Sequence, residues 1–103
     1  MFTGSQPDAL KTNTSLVAAA FERLTHMAER LLRDVTNGEG GSPHFENVRE
    51  LLASVPLNTE EHAIASQRLA NAWRYAGEGE HGAARYELAM LVRNFAKRRQ
   101  LYE

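Results

Sequence analysis

Residues 58–95 read NTEEHAIASQRLANAWRYAGEGEHGAARYELAMLVRNF, and this stretch decides the predicted fold. Apolar residues recur at spacings of three and four on both sides of a glycine-rich segment, which is typical of two amphipathic helices. Asn58, followed by Glu61, predicts a capping box at the start of the first helix. The segment between the helices carries Gly77, Gly79 and Gly82. Glycine adopts positive φ at little steric cost, so the pattern predicts an antiparallel helical hairpin.

Each predicted helix of the hairpin has one apolar face. On the first helix that face consists of His62, Ala65, Leu69, Ala72, Trp73 and Ala76. On the second it consists of Ala84, Leu88, Leu91, Val92, Phe95 and Ala96. Because the first face is mostly alanine, we expect Trp73 to supply most of its buried area. We therefore place Trp73 between the two helices, beside Leu69, Leu88 and Leu91.

The hairpin resembles a known repeat. Its signature-like positions are Leu69, Ala70, Trp73, Gly77, Gly82, Tyr86 and Ala89. Their spacing over residues 63–96 is similar to that of a single tetratricopeptide repeat. The resemblance implies a scaffold that binds peptides or proteins through a groove.

Two further helices precede the hairpin. The predicted helices of the whole chain are 14–36, 43–54, 59–76 and 81–101, with Asn13 or Thr14 as the first cap. The first helix has a wide apolar stripe formed by Val17, Phe21, Leu24, Ala28, Leu31 and Val35. The second has a core face formed by Phe45, Val48, Leu51, Leu52 and Val55, and Pro56 ends it.

The organisation of the chain follows from its polar and glycine-rich segments. Residues 1–12 are predicted to be a flexible N-terminal segment, and residues 13–103 a single helical domain. Residues 1–11 and 38–42 are expected to be mobile, since both are poor in apolar residues. No segment alternates with period two, so the fold class is all-α. Short connections favour an up-down four-helix bundle, with a more open array of helical hairpins as the alternative.

Composition excludes several classes of protein. The chain has 103 residues and no cysteine, which rules out disulfides, thiolate metal sites and cysteine nucleophiles. No N-terminal signal segment and no membrane-spanning apolar run is visible, so a cytoplasmic location is the expectation. A net charge of −1 argues against nucleic-acid binding by the domain as a whole.

The residues that could carry chemistry are scattered. The four histidines, His26, His44, His62 and His81, form neither HxxxH nor HExxH with one another, so no metal site is predicted. Gly77, Gly79 and Gly82 do spell GxGxxG, but the dinucleotide motif follows a strand and here a helix precedes it. Ser54 and Ser66 lack the glycines of a nucleophile elbow. We therefore predict no enzyme activity and no cofactor.

One surface of the last helix has the composition of a binding site. Its candidate residues are Tyr86, Met90, Arg93, Lys97 and Leu101, which lie opposite the predicted core face at 100° per residue. Aromatic residues, methionine and arginine are enriched at protein interfaces. Residues 85–103 carry a net charge of +3 and residues 22–61 a net charge of −4, so the partner is expected to be an acidic protein surface or a second copy of the chain.

Three hypotheses of function remain. The first is a small helical protein–protein interaction module, such as an adaptor, a regulator or a dimerising subunit. The alternative is a nucleic-acid-associated protein that uses the basic residues Arg93, Lys97, Arg98 and Arg99. The third is an enzyme or metalloprotein, which the residue pattern supports least.

Overall fold

The computed structural model describes the backbone of residues 5–102 and the side chains of residues 15–102, and within that range it holds four helices and no strand. The helices are α1 (Ser5–Thr36), α2 (His44–Ser54), α3 (Thr59–Gly77) and α4 (His81–Gln100). The all-α prediction is confirmed, and the bounds of the last three helices agree with the predicted ones to within one residue.

The start of α1 differs from the prediction. The helix begins at Ser5, whereas the predicted cap is Asn13 or Thr14. Its first turn contains Pro7, which is tolerated there because the first helical N–H groups have no acceptor within the helix. Residues 1–4 lie outside the described part of the chain. The flexibility expected for residues 1–12 stays a prediction.

The four helices pack as a closed up-down bundle. α1 and α4 share the largest interface, followed by α3 with α4, α1 with α2, and α2 with α3. At one end, the rings of Phe21 and Tyr102 stack with centroids 5.8 Å apart. At the other end, the α1–α2 connection touches the last turn of α3, where Gly40 meets Ala76. The bundle is elongated, with extents of 61 × 25 × 19 Å. No described helix has the length and apolar character of a membrane span.

The core consists of the predicted apolar faces. Its buried members include Phe21, Leu24, Leu31 and Val35 of α1, Phe45, Val48 and Leu52 of α2, Leu69 of α3, and Leu88, Leu91 and Phe95 of α4. Val17, Leu51 and Val92 are only partly buried and pack at the edges. Periodicity therefore located most of the core residues of the four helices, but His62, predicted on the apolar face of α3, is exposed.

Trp73 does not lie where the sequence pattern placed it. It is half-buried and stacks on Phe45 of α2, with ring centroids 5.2 Å apart and an interplanar angle of 8°. The buried face of α3 is centred on Ala65, Leu69 and Ala72, and Trp73 stands to one side of it by roughly 60–80° at 100° per residue. The expectation that Trp73 lies between α3 and α4 is wrong, because that lateral position points toward α2.

The helix ends explain the turns. The predicted capping box is present: Asn58 Oδ1 accepts from the Glu61 N–H at 2.8 Å, and the Glu61 carboxylate accepts from the Asn58 N–H at 3.2 Å. Gly79, at φ 81°, ends α3 in a Schellman motif. Gly77 is the last residue of α3 and Gly82 lies inside α4, so only one of the three predicted turn glycines needs positive φ.

The loop at 38–42, expected to be mobile, is packed in the structure. Gly38, at φ 86°, ends α1 in a second Schellman motif. Gly40 lies so close to Ala76 that a Cβ would collide with its carbonyl oxygen. Ser42 is 5% exposed. The loop therefore joins the ends of α1, α2 and α3.

Candidate functional site

Four of the five predicted binding residues lie on the outer face of α4, and the fifth, Leu101, is the C-cap of that helix. The core face of this helix consists of Ala84, Leu88, Leu91 and Phe95, and the predicted stripe points the opposite way. Tyr86 is 62% exposed and Leu101 is 68% exposed, and Arg93 and Lys97 are also exposed. Met90 is half-buried. The structure thus brings the predicted residues together along one line of the surface.

A cavity of about 340 Å³ opens at the C-terminal end of this stripe, between α3 and α4. Its apolar lining consists of Leu57, Ile64, Ala65, Phe95 and Leu101, and its polar lining consists of Glu61, Asn94, Lys97 and Arg98. Two of the predicted binding residues, Lys97 and Leu101, therefore border a concave apolar site.

Sequence reasoning missed Ile64 in this cavity. Ile64 is 49% exposed and stands about 100° from Ala65, outside the apolar stripe of α3. The available signal was a single isoleucine on an otherwise polar or small-residue face. Such isolated residues are common on surfaces and carry little information until a neighbouring helix is known.

Two ion pairs connect α3 and α4, and the residues of one of them line the cavity. Glu61 and Arg98 are 3.0 Å apart with side chains 33% and 27% exposed. Arg68 and Glu87 are 3.2 Å apart with side chains 27% and 13% exposed. These pairs connect the facing sides of α3 and α4, while Glu60, Glu78 and Glu80 of the hairpin are exposed. The charges left exposed on the α4 stripe are those of Arg93 and Lys97.

A second cavity of about 320 Å³ lies between α2 and α3. Its apolar lining consists of Leu52, Ala53, Leu69, Ala70 and Trp73, and its polar lining consists of Arg49, His62 and Ser66. Trp73, whose indole stacks on Phe45, is thus also part of the cavity wall. The α2–α3 interface that holds this cavity is the smallest of the four interfaces between neighbouring helices.

Asp34, Ser42 and His44 form a hydrogen-bonded cluster where α1 meets α2. The Ser42 hydroxyl donates to Asp34 Oδ2 at 2.6 Å and accepts from the His44 N–H at 3.1 Å. His44 Nδ1 lies 2.6 Å from the same carboxylate oxygen. The Ser42 hydroxyl and then His44 hold the pKa of Asp34 below its usual value of 3.8, although burial opposes them.

The cluster has the residue types of a hydrolase triad but not its geometry. A triad needs the serine and the aspartate on opposite ring nitrogens, whereas Ser42 Oγ and Asp34 both face Nδ1 of His44. Ser42 is also buried. The cluster fastens the α1–α2 connection. Elsewhere in the described range, no three His, Asp or Glu side chains are placed to hold a metal ion.

Comparison with known proteins adds no assignment. No protein-family model, no curated protein and no solved structure matches this chain. The resemblance of residues 63–96 to a tetratricopeptide repeat stays a prediction.

Proposed function

We propose that the protein is a non-catalytic, cytoplasmic protein-binding module that docks a partner protein on the outer face of α3 and α4. This surface, here called the hairpin face, consists of Ile64, Tyr86, Met90, Arg93, Lys97 and Leu101. The observation that carries the proposal is that two exposed apolar side chains, Ile64 and Leu101, line the 340 Å³ cavity between α3 and α4.

Exposure is concentrated on this face. Four large apolar side chains are exposed in the described range, and three of them, Ile64, Tyr86 and Leu101, belong to the hairpin face. A helix at the edge of a bundle needs only one apolar side. Apolar patches rimmed by polar groups mark interaction sites. The stripe of α4 adds the aromatic, methionine and arginine residues that interfaces favour.

The charge of the hairpin face supports an acidic partner surface. Arg93 and Lys97 are exposed, while Glu61 and Glu87 are engaged by arginines. The face is therefore positive, and a partner surface with acidic residues around an apolar centre is complementary to it. The face is less suited to binding nucleic acid, because Arg98 and Arg99 are half-buried and Arg98 pairs with Glu61.

A comparison of variants tests this function. Tagged wild-type protein, an Ile64→Glu/Leu101→Glu double variant and a Leu16→Glu control would each be used to capture proteins from cell extract. Leu16 is 63% exposed on α1 and does not line the cavity. We expect one protein to be retained by the wild type and by the control, and lost by the double variant. The purified partner must then bind the wild type and the Leu16→Glu control with similar affinity, and the double variant more weakly.

Other outcomes would overturn the proposal. Equal capture by all three proteins would exclude the hairpin face as a docking site. Sedimentation that shows a dimer, dissociated only by the double variant, would make a second copy the occupant. Binding to random RNA that weakens steeply with salt and survives the double variant would favour the nucleic-acid alternative.

A further inference from the structure

We infer that the segment bound by the hairpin face is an acidic amphipathic helix, lying lengthwise between α3 and α4 with one bulky apolar residue in the cavity. This inference rests on the proposed function and names the partner's chemistry. It follows from the shape of the face, from the distribution of its charge and from the unfavourable contact that two copies of this face would make across a two-fold axis.

The shape of the face fits a helix. Tyr86 and Leu101 are separated by 15 positions on one helix, which is about 22 Å at 1.5 Å per residue. Ile64 and Leu101 border the cavity between the two packed helices, and Met90 and Tyr86 continue a row of apolar side chains along the outer side of α4. A third helix presents its apolar residues in such a row at spacings of three and four. Strand addition needs a sheet edge, and residues 5–102 contain no strand.

The cavity provides the anchor position. It lies at the Leu101 end of the row, between Ile64 and Phe95, and its floor is apolar. Binding energy at protein interfaces concentrates in a few bulky side chains that fill such pockets. A leucine, isoleucine or phenylalanine of the bound helix would therefore occupy this cavity.

The charges make an acidic helix the complementary one. Arg93 and Lys97 are four residues apart on the exposed side of α4, between Tyr86 and Leu101. The two carboxylates between α3 and α4 are engaged within the hairpin, since Glu61 pairs with Arg98 and Glu87 with Arg68. Glutamates beside the apolar row of a bound helix would lie within reach of both cations.

A second copy of the chain fits this face poorly. A two-fold axis that pairs two α4 stripes antiparallel passes near the midpoint between Tyr86 and Leu101, which is Arg93. Each Arg93 would then lie beside its own symmetry mate. Like charges brought together at an interface are unfavourable. Because this symmetric pairing is unfavourable, we assign the bound helix to another protein.

The experiment uses defined peptides with the full-length protein. The probe is a fluorescent four-turn helical peptide of leucine, alanine and glutamate, with leucines at spacings of three and four. A matched peptide carries lysine at every glutamate position. Fluorescence anisotropy at low salt should show that the wild type binds the glutamate peptide about tenfold more tightly than the lysine peptide.

Variants assign the site. Arg93→Glu/Lys97→Glu should reverse the preference, so that the lysine peptide binds more tightly. Ile64→Glu/Leu101→Glu should remove binding of both peptides. Arg23→Glu/Arg30→Glu changes two exposed arginines of α1 by the same charge and should keep the wild-type preference. Circular dichroism of each variant must show wild-type helicity.

The results separate this inference from the proposed function. Equal binding of the two peptides by the wild type, or a preference unchanged by Arg93→Glu/Lys97→Glu, would overturn the acidic helix. If Ile64→Glu/Leu101→Glu still abolished binding of the natural partner, the hairpin face would remain the docking surface, and only the acidic helix would be excluded. Peptide binding that survives Ile64→Glu/Leu101→Glu would overturn the groove as the site of the helix.

Discussion

Gly40 is the residue whose size matters most to the loop between α1 and α2. A Cβ there would collide with the Ala76 carbonyl oxygen and lie 3.0 Å from its carbon, and backbone atoms cannot move aside as a flexible side chain can. Gly41 has nothing within 4 Å of its Cβ position. Of these two adjacent glycines, Gly41 has room for a side chain and Gly40 does not.

Gly40→Ala should therefore lower the free energy of unfolding by about 1–3 kcal/mol, the usual cost of forcing a methyl group into a packed site. Gly41→Ala is the matched control, and it should leave stability unchanged or raise it slightly because it restricts the unfolded chain. Urea denaturation measures both. Equal effects of the two substitutions would mean that the loop does not pack on Ala76.

The Asp34 cluster predicts how stability depends on pH. Asp34 has a folded-state pKa below the ordinary 3.8, chiefly because the Ser42 hydroxyl and His44 bind its carboxylate. A lowered pKa stabilises the fold above the unfolded value, and that stabilisation is lost as the pH falls through the folded value. The stability difference between the wild type and Asp34→Asn should thus shrink below pH 3.8.

Ser42→Ala is the control for this pH dependence. It removes the main hydrogen-bond donor, so the pKa of Asp34 should rise toward 3.8 in a carboxyl NMR titration. Denaturation curves at several pH values would give the stability differences. A difference between wild type and Asp34→Asn that stays constant into the acid range would show that the cluster does not stabilise the carboxylate.

At the scale of elements, α2 depends on one aromatic contact with α3. Phe45 is fully buried and stacks on Trp73, while the rest of the α2–α3 interface contains the 320 Å³ cavity. Trp73 is the single tryptophan of the chain. Its fluorescence therefore reports on this interface alone.

Phe45→Ala should cost about 3–5 kcal/mol, as expected for truncating a buried phenylalanine. It should also shift the Trp73 emission to longer wavelength, because the indole face that Phe45 covers becomes exposed to water. Phe45→Leu keeps most of the buried volume and should give smaller changes in both measurements. An unchanged emission maximum in a folded Phe45→Ala variant would contradict the stack.

At the scale of the whole molecule, the four helices do not contribute equally. α1 and α4 form the largest interface, and α2 forms the two smallest, with α1 and with α3. Segments with fewer packed contacts open at lower free energy. The bundle should thus have a stable α1–α4 pair and a more weakly held α2.

Native-state amide hydrogen exchange should show this order. The central amides of α1 and α4 should exchange only by global unfolding, and those of α2 should exchange by a local opening of lower free energy. We expect the 38–42 loop to open together with α2, because the N–H of His44, the first residue of α2, donates to the Ser42 hydroxyl. Equal exchange free energies in all four helices would show instead that the bundle opens as one unit.

Local patterns in the sequence determined the helices, most of their ends and their core faces. Three signals act within a few residues of the chain: helical periodicity, the Asn58–Glu61 capping box and the glycine at 79. They can therefore be recognised in the sequence without knowing which helices pack together. The same periodicity placed Tyr86, Arg93, Lys97 and Leu101 on one outer face of α4. The N-terminal start of α1 was not legible, because the segment lacks both a clear cap and an apolar stripe.

Only the tertiary structure decided which helices touch and what lies between them. Trp73 stands beside the core stripe of α3, so the sequence does not decide whether its side chain packs on α2 or on α4. The position of α2, where Phe45 stacks on the indole, decides it. Ile64 forms part of a cavity only because α4 supplies the other wall. Asp34 meets His44 only because the loop turns back at Gly38. These features join residues from separate helices, and their physical cause is packing, which sequence periodicity does not record.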